Sequence, residues 1–107
     1  MTRTPIIQGD VMLIPVDIPA AAVLQSGRRH VLAEGEATGH AHVVEHVDLY
    51  QYAGVPYVLV QAADIVDGAV LTHEDHGPIP LTQLGGYEVR RKVEIDLLSG
   101  LMRWVAD

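Results

Sequence analysis

Apolar and polar residues alternate most cleanly near the C-terminal end, where Tyr87, Val89, Arg91, Val93 and Ile95 interleave with Glu88, Arg90, Lys92, Glu94 and Asp96. A two-residue period marks a half-buried strand, because successive side chains leave a pleated backbone on opposite faces. The same period runs through Val47, Leu49 and Gln51 against Asp48, Tyr50 and Tyr52. Shorter apolar runs stand between turn signals. They are residues 10–16 after Gln8-Gly9-Asp10, residues 30–36, residues 57–63, and residues 69–72 after Asp67-Gly68, and each reads as a short strand. Gly77-Pro78-Ile79-Pro80 demands an extended connection, since proline fixes φ and disfavours helix in the residue before it. Ser99-Gly100 is a last turn, after which residues 101–105 can pair back as a hairpin. Only residues 18–25, where Pro19 precedes three alanines and Gly27 stands ready as a stop, predict a helix.

The pattern predicts an all-β fold with about eight short strands and at most one short helix, arranged as a small single-domain β-barrel or sandwich. A length of 107 residues suits one core, so the expected domain is 1–107, and no internal repeat or linker interrupts it. Hydrophobic residues make up 49% of the chain, but there is no Phe and one Trp. Val, Leu, Ile and Ala must therefore fill the interior, and the β-branched members of that set favour strands.

Composition removes several functions. The absence of cysteine excludes disulfides, thiolate metal sites and cysteine nucleophiles. A formal charge of −7 repels phosphate backbones, which argues against nucleic acid as a partner. The basic groups Arg28-Arg29 and Arg90-Arg91-Lys92 read as solvated strand faces rather than an anion site. Residues 1–16 lack the pattern of a signal peptide and no apolar run reaches a membrane-spanning length, so the expectation is a cytoplasmic protein with no membrane partner.

Histidine carries the chemical signal. Five of the six histidines fall in two tight groups: His40, His42 and His46, then His73 and His76. Residues two apart on a strand share a face, so His40 and His42 can aim both rings at one point, and His46 has the same parity. His73 ends a predicted strand, and a turn before Gly77-Pro78 can bring His76 to the same side. Two such pairs from separate strands offer His40, His42, His73 and His76 as nitrogen ligands for a divalent transition metal: Zn, Fe, Ni, Mn or Cu. His30 reads as an ordinary strand residue. Glu34, Glu36, Glu45, Glu74 and Asp75 lie near in sequence as ligands, proton carriers or partners that orient an imidazole. Glu36 is the preferred catalytic carboxylate, because it shares the loop from Gly35 to Gly39 with His40; Thr38 in that loop reads as a turn residue.

His40-Ala41-His42 followed by Glu45 resembles the first motif of the cupins, small double-stranded β-helix proteins that bind metal inside a barrel. Here Glu45 comes one residue early and His46 occupies the usual glutamate place, so His46 is a rival ligand. Residues 70–73 do not match the second cupin motif. The resemblance implies a metal-bearing barrel, a small-molecule substrate and association into a homodimer. A broader pattern, Gly35-Glu36-x-Thr38-Gly39-His40-x-His42, then His73-Glu74-x-His76-Gly77-Pro78-Ile79, then Gly86-Tyr87-x-Val89, resembles a group of small bacterial and phage-associated proteins. That likeness implies that all four histidines belong to one site, and it supplies no reaction. Three functions stay open on the sequence: a cupin-like metalloenzyme using Glu36, a non-catalytic metal-binding protein, and a metal-free structural or assembly module.

Overall fold

The computed structural model describes residues 3–34 and 40–91. Glu36 and Thr38 therefore lie outside the described residues, as do the end of the alternating pattern from Lys92 onward and the hairpin expected at 101–105. The elements run β1 (Ile6–Gln8), β2 (Val11–Pro15), β3 (Val23–Leu24), β4 (Arg29–Glu34), β5 (Ala41–Glu45), β6 (Asp48–Tyr52), β7 (Val55–Val60), α1 (Ala62–Asp67), β8 (Val70–Thr72), β9 (Ile79–Pro80) and β10 (Gly85–Arg91). The all-β expectation holds, with one short helix. Among the described residues, hydrogen bonding gives two antiparallel sheets rather than one closed barrel, ordered β1-β2-β10-β7-β6-β3 and β4-β5-β8-β9.

Alternation puts one face of each sheet into a shared interior. Val11 and Leu13 from β2, Leu49 from β6, Val58 and Val60 from β7, and Tyr87 and Val89 from β10 meet Val44 from β5 and Leu71 from β8 in one buried cluster. Burying a side chain of this kind is worth about 1.5–3 kcal/mol, which makes the contact between inner faces the main cohesive element.

The helix expected over residues 18–25 does not form there. Pro19 and the alanines make a turn closed by Ala22 N–H donating to Pro19 O at 3.0 Å, and Val23 and Leu24 pair with Gln51 and Tyr50 as β3. Alanine's helix propensity is worth only a few tenths of a kcal/mol per residue, so strand pairing overrides it. The helix lies instead at Ala62–Asp67, taking only the last two residues of the run 57–63 that reads as a strand. β7 ends at Val60, and Asp64 Oδ2 then accepts the Gln61 N–H at 2.8 Å, capping α1. Gly68, with φ 93°, stops the helix in the left-handed conformation, so Asp67-Gly68 is a helix end rather than a hairpin turn.

Among the described residues, Arg28, Arg29, Arg90 and Arg91 are tied down as ion pairs. Arg28 donates to Asp48 at 2.7 Å and to the buried Asp64, fastening α1 to the β5–β6 connection. Those two carboxylates push the Arg28 guanidinium's pKa up, the Asp64 hydrogen bond contributing most. Arg29 pairs with Glu45, Arg90 with Glu88 and Arg91 with Asp10.

Candidate metal centre

The site is written into the pairing of β5 with β8. Their register sets Val44 opposite Leu71 and Val43 opposite Thr72. Continuing it sets His42 opposite His73, Ala41 opposite Glu74 and His40 opposite Asp75. The contacts follow that order: the His42 and His73 rings lie 4.3 Å apart between centroids, Ala41 N–H donates to Glu74 Oε2 at 3.0 Å, and His40 Nδ1 lies 2.6 Å from Asp75 Oδ2. His42 shares the inward parity of Val44, as His73 shares that of Leu71. The imidazoles therefore sit at the end of the core.

His76 joins them from the β8–β9 connection, its ring 4.7 Å from His73 and 5.9 Å from His42. His40 lies 5.8 Å from His73. All four histidines singled out in the sequence thus converge. A ligand atom from each of His40, His73 and Glu74 lies within 4.8 Å of the others, which makes these three a group able to hold a metal ion with small side-chain adjustments. Glu74 is held in its anionic form, first by a backbone hydrogen bond within its own residue and then by the Ala41 N–H.

The roof of the site comes from the other sheet and was not foreseen. β1 and β2 form a hairpin whose two turn residues are Gly9 and Asp10. Gly9 has φ 58°, and a Cβ there would lie 2.7 Å from His76 Nε2 and 3.2 Å from His42 Cε1. The backbone of Gly9 thus lies close to two of the rings, and a side chain there would have to displace His76. Gln8, buried beneath the turn, donates its amide to Leu71 O at 3.1 Å and to Gly77 O at 3.0 Å. Its Oε1 lies 3.0 Å from His42 Nδ1, and Asp10 Oδ1 lies 3.3 Å from His42 Nε2.

His42 is 5% exposed, and burial, followed by the neighbouring His73, lowers its pKa below the usual histidine range. Burial tends to raise the Asp10 pKa, but Arg91 outweighs it and holds the carboxyl below its usual range. The Asp75 backbone N–H donates to His73 Nδ1 at 3.0 Å, so the short loop grips both His40 and His73. Toward solvent the site opens through His40, Glu74 and Asp75, whose side chains are partly or largely exposed.

The other candidates lie elsewhere. His46 is exposed beyond the end of β5, with φ 64°, so strand parity does not carry to it. His30 Nε2 lies 2.9 Å from Gly27 O and plays a local role. Glu45 pairs with Arg29, and Glu34 is exposed at the end of β4. A separate cleft lined by Arg3, Asp17, Ile18, Tyr50, Leu59 and Gly86 contains none of these histidines.

A protein family described as a domain of unknown function (DUF8820) matches residues 7–92, a span that includes every residue of the site. No curated protein and no solved structure matches the chain.

Proposed function

The chain belongs to the DUF8820 family, and because that description assigns no activity, we propose from the site itself that the protein binds a divalent transition metal through its histidine cluster. His40, His42, His73 and His76 are the proposed nitrogen donors, with Glu74 a carboxylate beside them. One observation carries the reading: four imidazoles from β5 and the β8–β9 connection converge, with neighbouring centroids 4.3 to 5.9 Å apart. Four imidazoles gathered at one end of the core, with His42 buried among them, serve poorly as structural filler and well as ligands for a borderline cation.

The solvent-facing rim supports an exchangeable position on the ion rather than a sealed structural site. That favours a metalloenzyme or a metal carrier with a small-molecule partner over a purely structural ion.

The test is metal content after expression in medium containing Zn, Fe, Ni, Mn and Cu, measured by elemental analysis on the full chain and on His40→Ala and His73→Ala variants. Stoichiometric metal in the parent and the loss of the same metal from both variants is the expected result. A parent chain that carries and takes up no metal would refute the proposal.

A further inference from the structure

The hydrogen bonds around His42 fix its tautomer. Gln8 has two amide protons and spends both on backbone carbonyls, those of Leu71 and Gly77. The amide orientation is thereby fixed, and the oxygen is the end that meets His42 Nδ1. An oxygen can only accept, so Nδ1 carries the proton. In a neutral imidazole the lone pair is then on Nε2. Asp10 Oδ1, a second acceptor, lies 3.3 Å from that nitrogen.

Two acceptors this close need something positive between them. A proton on Nε2 is one answer, but a charge-assisted N–H···O⁻ bond closes to about 2.7–2.9 Å. The alternative is a cation. Two atoms each about 2 Å from a shared tetrahedral ion stand roughly 3.3 Å apart, the separation observed. His42 is more than nine-tenths buried, while Arg91 holds Asp10 by its other oxygen, so that Oδ1 is the oxygen beside His42.

We propose that Asp10 is a carboxylate ligand of the metal site, sharing one divalent cation with His42 Nε2, and that Gln8 is the positioning residue that commits His42 to the metal-binding tautomer. This rests on the reading of the histidine cluster as a metal site and extends it. The ion then bridges the two sheets, with Asp10 from the β1–β2 turn and His42 from β5. A mixed nitrogen and oxygen donor set selects Zn, Fe, Mn or Co over Cu(I).

Cobalt(II) is the probe. The metal-stripped full chain is titrated with Co(II) and its visible spectrum recorded. Zn(II) affinity is then measured against a chromophoric chelator for the parent, Asp10→Asn and Arg91→Gln. Loss of a ligand predicts at least tenfold weaker Zn(II) binding by Asp10→Asn and an altered Co(II) spectrum. Arg91→Gln breaks the same ion pair but keeps the carboxylate, so it should bind as tightly as the parent or more tightly. A parental affinity and spectrum in Asp10→Asn would overturn the assignment and leave the histidine site standing. Equal weakening in both variants would also overturn it, showing that the ion pair matters only to the fold. No Co(II) or Zn(II) binding by the parent would remove the histidine reading and this one together.

Discussion

Replacing Gly9 with alanine separates two effects that a glycine in a turn usually confounds. The first is backbone strain: φ is 58°, where an L-residue costs about 1–2 kcal/mol. The second is local, because the new Cβ would lie 2.7 Å from His76 Nε2, roughly 0.7 Å inside ordinary contact distance. Gly54 supplies the control. It too lies in a two-residue hairpin turn at positive φ, 78°, but a Cβ there meets nothing within 4 Å. With metal chelated, both Gly9→Ala and Gly54→Ala should lose the backbone contribution, which for a domain of this size lowers Tm by about 5–10 °C. With Zn(II) present the two should diverge. In Gly9→Ala the His76 ring must swing away, and affinity should fall at least tenfold, about 1.4 kcal/mol. Gly54→Ala should bind as the parent does. Differential scanning fluorimetry with and without Zn(II), joined to chelator competition, measures both terms. Equal Zn(II) affinity in Gly9→Ala and the parent would refute the argument, since a turn packed on His76 cannot gain a methyl group without moving a proposed ligand.

Arg28→Ala should cost about 2–3 kcal/mol, because it leaves the buried Asp64 carboxylate without its guanidinium partner; a urea midpoint unchanged from the parent would contradict that. In chelator, stability should fall as pH drops below about 6.5, the ordinary histidine pKa, because burial holds His42 lower and the folded ring binds fewer protons than the unfolded one. The loss should run from about pH 6.5 down to the folded value and then level off. His42→Gln should flatten that slope, so identical pH profiles for the two chains would show that His42 is not its source.

How much of this was legible in the sequence depended on distance along the chain. Strand existence followed from alternation, and β10 (Gly85–Arg91) and β6 (Asp48–Tyr52) lie where the two-residue period was cleanest. The helix was misplaced because Pro19 and the alanines have local propensity, whereas the pairing of Val23 with Gln51 is non-local. A local signal for α1 did exist, in Gln61 three residues ahead of Asp64 and Gly68 closing the turn, but an apolar run masked it. The histidines announced themselves by clustering and by strand parity. Gln8, Gly9 and Asp10 did not, because Gln-Gly-Asp reads only as a turn. Their meaning appears when β1 brings Gln8 to Leu71 and Gly77, more than sixty positions away in the chain. His46 had the right parity on paper, but the strand ends at Glu45 and its backbone turns left-handed.

The register of β5 against β8 does more than align two strands. A slip of one residue would reverse the faces of β5, sending His42 and Val44 outward together and pointing Glu45 inward. Such a molecule would keep most of its hydrogen bonds and its β-rich circular dichroism, and bulk spectroscopy would score it as folded. The proposed ligand set would be gone. If the histidine cluster binds metal as proposed, stoichiometric uptake would serve as a proofreading assay, counting only molecules whose strands have zipped in the correct frame.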